Sequence, residues 1–129
     1  MKILAVNHIT VNVKDLEASR AFYGGVLGLP EAGFIHMGDH TLTYFTLTPE
    51  TRLELICYLT AEKEARPKET DLGIYRHFCV ETDDIEGVAA ACRAAGVPVT
   101  KEPGRVEALG CSTMLIKDPN GVEIEIIQK

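Results

Sequence analysis

Two segments of this 129-residue chain repeat one another, and the repeat limits the folds that the chain can adopt. Residues 7–18, NHITVNVKDLEA, align without a gap on residues 76–87, RHFCVETDDIEG. Further along, residues 52–56, RLELI, match residues 123–127, EIEII. Each half therefore carries one histidine near its start and one glutamate in its last predicted strand. In chain order these residues are His8, Glu54, His77 and Glu125.

The hydrophobic pattern of the first half predicts a strand, a helix and three further strands. Residues 3–13 alternate and are rich in β-branched side chains, which is typical of a strand. Asp15 is a suitable N-cap for a helix over residues 16–27, and Gly28 is placed to end that helix. The remaining strands are predicted over residues 31–37, 41–48 and 51–60.

The second half predicts the same order of elements. A strand over residues 74–82 leads to Asp83 or Asp84 as the N-cap of a helix with one apolar face, which ends before Gly96. Further strands are predicted over 97–100, 111–117 and 122–128, with a loop over 101–111. The chain is thus predicted to be an α+β protein, a single domain of two β-α-β-β-β modules. The modules cover about 1–60 and 74–129, and a polar linker over 61–73 joins them.

Composition narrows the function classes. The formal net charge of −6 argues against sequence-independent nucleic-acid binding and gives no reason to expect docking on anionic membranes. No apolar stretch reaches the length of a membrane span, and the apolar start MKILAV is too short for a signal peptide. The cysteines form no Cys-x-x-Cys pair, so reduced thiols in a cytoplasmic protein are expected. They are Cys57, Cys79, Cys92 and Cys111.

Strand alternation predicts where the repeated histidines and glutamates point. Successive side chains of a strand face opposite sides, so Glu54 points away from Leu53 and Leu55, and Glu125 points away from its apolar neighbours. Helices are expected to cover the apolar faces, and the more polar faces are expected to curve round a shared cavity. Because an ionised carboxylate in apolar surroundings is costly unless it is paired or bound to a metal, the pattern predicts a divalent metal held by His8, Glu54, His77 and Glu125.

Simpler structural roles stand beside this interpretation. A single histidine on a strand is more often a hydrogen-bonded structural residue than a ligand, and a single glutamate is more often solvated or paired with a neighbour such as Arg52. The presence of two His–Glu pairs at matching positions favours a metal site over four separate structural roles. His36 and His40 are interpreted as surface residues of a turn, and Glu123 as solvated or near the rim of the cavity.

The sequence resembles the vicinal-oxygen-chelate superfamily, which includes glyoxalase I, extradiol dioxygenases, methylmalonyl-CoA epimerase and bleomycin-resistance proteins. The segments that carry the resemblance are residues 7–29, 52–58, 76–96 and 118–127. The resemblance implies an open, cupped mixed β-barrel with helices on its outer face and a metal inside. It also implies a homodimer in which the metal sites lie at or near the subunit interface, and a small-molecule substrate. The charge and hydropathy described above favour no nucleic-acid or membrane partner.

Within that superfamily, the four-ligand order resembles the glyoxalase I type, or lactoylglutathione lyase. It implies one divalent metal per site, with nickel, cobalt or zinc expected before manganese or iron. Extradiol dioxygenases would use His8, His77 and Glu125 and leave Glu54 without a role, whereas the epimerase typically has Gln in place of Glu54. The chain departs from glyoxalase I at two glutathione-binding positions, where Asn12 replaces Arg and Tyr58 replaces Asn.

The resemblance implies a metal-dependent lyase or isomerase that moves a proton on a 2-oxoaldehyde–thiol adduct through a metal-bound enediolate. Glu125 or Glu54 is expected to remove the proton α to the carbonyl and return it to the neighbouring carbon, and Glu125 is preferred as the base. Arg105, in the predicted loop 101–111, could close on an anionic substrate or could be an ordinary surface residue. Two alternatives remain open, an Fe(II) extradiol-type dioxygenase and a metal-free drug-binding protein of the resistance type.

Overall fold

A computed structural model describes residues 4–59 and 75–129 of the chain. The chain divides into two compact units, Met1–Ala61 and Glu62–Lys129. The linker predicted over 61–73 lies outside the described residues. No helix within the described ranges is long and apolar enough to span a membrane.

The first unit follows the predicted order of one strand, one helical segment and three strands. The helical segment begins as an α-helix and continues as a π-helix over Ala21–Val26. The elements are β1 (His8–Asn12), α1 (Leu16–Arg20), β2 (Glu31–His36), β3 (His40–Thr46) and β4 (Arg52–Tyr58).

The helix predicted over 16–27 changes character halfway. Asp15 caps it as expected, since its Oδ1 accepts a hydrogen bond from the Ala18 amide at 3.0 Å. Beyond Arg20 the turns widen, and the amide of Leu27 donates to the Phe22 carbonyl, five residues back, at 3.0 Å. The widened turn brings Gly24 against the ring of Phe45, where an added Cβ would lie 3.2 Å from a ring carbon. The missing side chain therefore permits the close approach of the helix to the sheet.

The second unit repeats this order. Its α-helix is capped by Asp84, whose Oδ1 accepts from the Gly87 amide at 2.8 Å, and it ends at Gly96, where φ is +68°. The elements are β5 (Phe78–Glu81), α2 (Ile85–Ala94), β6 (Val99–Val106), β7 (Cys111–Lys117) and β8 (Glu123–Gln128).

The prediction of a short strand over 97–100 followed by a loop over 101–111 is wrong. One strand, β6, runs to Val106, and a 3₁₀ turn follows over Glu107–Leu109. Two register shifts interrupt its pairing with β7, on either side of Lys101. Because β6 is an edge strand, Pro103 costs no hydrogen bond to a further neighbour. Arg105 is consequently a strand residue paired in register with Ser112.

Each unit forms a four-stranded mixed sheet. The strand orders are β1-β4-β3-β2 and β5-β8-β7-β6, in which the first pair of each sheet is parallel and the others are antiparallel. The predicted α+β class with two β-α-β-β-β modules is confirmed.

One face of each sheet is apolar and buried. In the first unit Leu53, Leu55 and Phe45 are almost completely shielded from solvent, and the ring of Tyr23 from the π-helix lies 6.3 Å from that of Phe45. In the second unit α2 packs on β6, β7 and β8. The buried residues of α2 and of these strands include Ala89, Cys92, Met114, Ile116, Ile124 and Ile126. The chemistry discussed below lies on the opposite faces.

Candidate functional site

The parallel ladder between β1 and β4 places His8 and Glu54 on one face of the first sheet. His8 lies opposite Arg52 and Thr10 lies opposite Glu54. Since alternate residues of a strand share a face, the side chains of these four residues leave the sheet on the same side. His8 is exposed, and its Nδ1 lies 2.8 Å from Oδ1 of Asn7. The His–Glu pair is therefore a diagonal pair of neighbouring strands.

Glu54 is buried, with 8% of its surface exposed, and two hydroxyls bind its carboxylate. Thr10 Oγ1 donates to Oε1 at 3.1 Å, and Tyr44 Oη donates to Oε2 at 2.5 Å. Tyr44 lies directly opposite Glu54 in the antiparallel β3–β4 pair. The hydrogen bond with Glu54, followed by desolvation, raises the pKa of the Tyr44 phenol, so the phenol remains a donor at neutral pH. The two donors offset the cost of burying a carboxylate.

The parallel ladder between β5 and β8 repeats the arrangement in the second unit. Cys79 lies opposite Glu125, as Thr10 lies opposite Glu54, and His77 immediately precedes β5. His77 Nε2 is 3.1 Å from Glu125 Oε2. The two His–Glu pairs thus occupy corresponding positions of the two sheets.

The surroundings of the two glutamates differ. Glu125 has Cys79 and Leu115 as its partners in register, where Glu54 has Thr10 and Tyr44. Desolvation of the thiol and the negative charge of Glu125 raise the pKa of Cys79 to about 11. Cys79 therefore stays a neutral thiol at physiological pH in the metal-free protein.

The expectation that Glu123 is solvated is wrong, and its alternative, a place near the rim of the cavity, stays a prediction. Only 7% of its surface is exposed, and its Oε1 is bound by Nη1 of Arg76. The same oxygen lies 3.4 Å from Nδ1 of His77. This approach is not a hydrogen bond, because Nδ1 of His77 is buried without a hydrogen-bond partner among the described residues. The repeat contained a signal for this ion pair. The two positions carry Asn7 and Arg52 in the first half, but the oppositely charged Arg76 and Glu123 in the second.

Two imidazoles and two carboxylates fit a divalent cation by their chemistry, because nitrogen and oxygen ligands of this kind suit zinc, nickel and related ions. Each unit supplies one His–Glu pair. Within residues 4–59 and 75–129, no three or more His, Cys, Asp or Glu side chains are grouped so as to hold a metal ion. The four-ligand site therefore stays a prediction.

His36 and His40 flank the turn between β2 and β3. Gly38, with φ +94°, lies between them, and its amide donates to Nδ1 of His36 at 3.2 Å. Nδ1 of His40 is 2.6 Å from Oδ1 of Asp39. Both imidazoles thus have local partners in the turn.

Comparison with known proteins identifies the family. Residues 5–126 match the family model described as the Glyoxalase/Bleomycin resistance protein/Dioxygenase superfamily. A solved glyoxylase/bleomycin resistance protein/dioxygenase domain from Frankia sp. EAN1pec has the same fold, with a TM-score of 0.83 at 16% identity, covering 98% of this chain and 93% of that domain.

Lactoylglutathione lyases and epimerases are both found among the relatives of this chain. A probable lactoylglutathione lyase of Vibrio parahaemolyticus is 31% identical over 94% of this chain and 88% of its own length. An ethylmalonyl-CoA/methylmalonyl-CoA epimerase of Cereibacter sphaeroides is 31% identical over 95% of this chain and 96% of its own length. The chain spans only 43% of the length of the lactoylglutathione lyase of Arabidopsis thaliana that it matches. This chain belongs to the glyoxalase/bleomycin resistance protein/dioxygenase superfamily.

Proposed function

We propose that the protein is a metal-dependent, glyoxalase I-like lyase or isomerase. It would move a proton between adjacent carbons of a 2-oxoaldehyde–thiol adduct. The observation that carries the proposal is the equivalence of the two parallel ladders, each of which presents one histidine and one glutamate in a diagonal relation. The lactoylglutathione lyases among the relatives support it.

His8, Glu54, His77 and Glu125 would hold the metal. When bound, a divalent cation supplies a Lewis acid that polarises the neighbouring oxygens of the substrate. The chain supplies the ligands and the group that moves the proton.

The two glutamates have different surroundings, which suggests different roles. Hydroxyl donors on both oxygens of Glu54 hold its orientation, which suits a fixed ligand. Glu125 faces Cys79 and Leu115 in register, and its side chain is 22% exposed. Glu125 is therefore the better base: its carboxylate takes the proton α to the carbonyl and returns it to the neighbouring carbon. His77, beside it, orients that carboxylate.

An epimerase is the second candidate, and the Cereibacter relative, which is matched over 96% of its own length, favours it. Epimerisation of a malonyl-type thioester begins in the same way, with removal of the proton α to the thioester carbonyl. A proton is then delivered to the opposite face of the same carbon by a second group, for which the other glutamate, Glu54, is the candidate. The same four side chains would serve both reactions, so the substrate distinguishes the two candidates.

The test combines metal analysis with solvent exchange. The purified protein is expected to retain nickel, cobalt or zinc, and to convert a hemithioacetal or to exchange the α-proton of a malonyl thioester in deuterium oxide. The variant Glu125→Gln is expected to lose at least about a hundredfold in kcat. Glu54→Gln should also reduce turnover strongly, whereas the control Glu50→Gln, in the exposed turn before β4, should match the wild type.

Three results would contradict the proposal. Bound iron with oxygen uptake on catechols would indicate a dioxygenase, in which Glu54→Gln has little effect. Negligible metal, with no loss of thermal stability in chelator, would indicate a metal-free binding protein. Full exchange by Glu125→Gln would remove Glu125 as the base.

We also propose a homodimer that completes the metal sites. Each unit offers two of the four ligands, and the resemblance described above implies ligand sets drawn from two subunits. Light scattering after size exclusion should give twice the mass of the 14.1 kDa chain. A monomer that binds a full equivalent of metal would contradict this arrangement.

A further inference from the structure

Arg52 lies beside the candidate ligands of the first unit. It is opposite His8 in the β1–β4 ladder and two residues before Glu54 on β4, so all three side chains leave the same face of the sheet. Arg52 and Glu54 leave the strand about 7 Å apart, given a rise of about 3.3 Å per residue. Arg52 is exposed, whereas Glu54 is buried.

Tyr44 holds the Arg52 side chain in place. The guanidinium carbon lies 4.5 Å from the centre of the Tyr44 ring, in a cation–π contact. The ring is fixed in turn by the hydrogen bond from its hydroxyl to Glu54. A guanidinium stacked on a ring keeps its N–H groups at the edge of the plane, where they can bind a planar anion through two parallel hydrogen bonds.

The positive charge of Arg52 has no carboxylate partner within the described ranges. Arg20, Arg76, Arg93 and Arg105 each have a carboxylate oxygen within 4.0 Å, and in residues 4–59 and 75–129 Arg52 is the one arginine that has none. The second unit differs at this point. Glu123 stands at the position corresponding to Arg52, and it is paired with Arg76. A stacked and unneutralised guanidinium is arranged to bind an anion.

We infer that Arg52 binds a carboxylate of the substrate, a few bonds away from the carbon that loses its proton. This inference rests on the proposed function, because the proposed function defines where the reacting carbon lies. The spacing of about 7 Å between the positions of Arg52 and Glu54 places the anion on the short acyl part of the substrate. Substrates with such a carboxylate include malonyl-type thioesters and adducts of short carboxylic thiols.

Binding of small probes tests the inference without turnover. Malonate and its neutral diamide, malonamide, are titrated calorimetrically into the protein in chelator, and then into the metal-loaded protein. Malonate is expected to bind. Arg52→Gln is expected to lower the malonate affinity roughly tenfold or more, because a charge-assisted hydrogen-bonded pair is lost. Arg52→Lys keeps the positive charge but lacks the planar guanidinium edge, so its malonate affinity should lie between those of the wild type and Arg52→Gln. Arg93→Gln, which removes a guanidinium paired with Glu102 on the surface, should bind malonate as the wild type does.

Several outcomes would overturn the inference. These are equal malonate affinity in the wild type and in Arg52→Gln, malonamide binding as tight as malonate binding, or no malonate binding at all. If inorganic phosphate binds more tightly than malonate, and its binding depends on Arg52, the group that Arg52 recognises is a phosphate and not a carboxylate.

Kinetics separate this inference from the proposed function. With a malonyl thioester, Arg52→Gln should raise KM roughly tenfold and change kcat by less than about twofold, which is the signature of lost ground-state binding. If malonate binding depends on Arg52 but no proton exchange is found, the proposed function fails and the anion site stands. If exchange is found with KM unchanged in Arg52→Gln, the anion site fails and the proposed function stands.

Discussion

Tyr44 and Glu54 face each other across the β3–β4 ladder, and the tyrosine hydroxyl lies 2.5 Å from Oε2 of the glutamate. Thr10 binds the other carboxylate oxygen from β1. Neighbours on both sides of β4 thus orient one carboxylate. Glu54 is a proposed metal ligand, and removal of a group that orients a metal ligand lowers metal affinity by about tenfold to a hundredfold.

Removing the Tyr44 hydroxyl should therefore weaken metal binding. We expect Tyr44→Phe to raise the dissociation constant for nickel or zinc roughly tenfold. It should also lower the free energy of unfolding of the metal-free protein by about 1–2 kcal/mol, because a buried hydrogen bond to a carboxylate is lost. Calorimetric titration and urea denaturation measure the two effects. Tyr58→Phe is the control, because Tyr58 is exposed. Unchanged affinity in Tyr44→Phe would show that Glu54 is positioned without it.

The turn before β8 depends on one buried carboxylate. Asp118 Oδ1 accepts from the amides of Asn120 at 2.8 Å and Val122 at 2.7 Å, and its Oδ2 accepts from Nδ2 of Asn120 at 2.8 Å. Asp118→Ala should cost about 3 kcal/mol of unfolding free energy, because these buried donors lose their acceptor. Asp118→Asn keeps one acceptor oxygen and should cost less. Equal losses in the two variants, measured by urea denaturation, would show that Oδ1 is not the main contributor.

Two adjacent glycines of the π-helix should respond in opposite ways to alanine. A Cβ at Gly24 would meet the Phe45 ring at 3.2 Å, whereas a Cβ at Gly25 would have nothing within 4 Å. Gly24→Ala is therefore expected to destabilise the protein by about 1 kcal/mol through overpacking. Gly25→Ala is expected to stabilise it by about 0.5 kcal/mol by restricting the unfolded chain. Thermal unfolding of the pair provides the comparison, and a loss of stability in Gly25→Ala would contradict it.

The Cys79 thiol should react slowly with alkylating reagents. Its pKa of about 11 lies above that of an ordinary thiol, so its reactive thiolate is scarce at neutral pH and increases as pH rises. In metal-free protein, we expect the rate of iodoacetamide labelling to increase about tenfold per pH unit up to about pH 10.5. Peptide mass spectrometry can follow Cys79 alongside Cys57. A rate that levels off near about pH 9 would show an unperturbed thiol.

The repeat explains why much of the fold could be predicted. Strand β7 was predicted over 111–117 and is observed over Cys111–Lys117, because its local pattern and its turns agree. The π-helix could not be predicted from local sequence. The contact that permits it joins Gly24 to Phe45, which lies on β3 and is distant along the chain. In β6, Pro103 and Gly104 resembled a loop because sequence does not reveal that a strand lies at the edge of a sheet.

The shared face of two candidate ligands could be predicted for a similar reason. Strand alternation was sufficient to assign His8 and Glu54 to one face, and the structure places them so. The groups that bind Glu54 depend on register, because only pairing brings Tyr44 opposite Glu54. Burial of Glu123 likewise follows from its partner Arg76, which is 47 residues away in the chain. Interactions between strands of this kind leave little trace in local periodicity.

Each His–Glu pair lies on one ladder of adjacent strands within a single unit. The spacing inside a pair is consequently settled as soon as its own sheet folds. Exchange of whole modules between two copies of the chain would deliver the same pairs, with the same internal spacing, as the unexchanged arrangement. Module swapping would therefore leave both halves of the proposed ligand set unchanged.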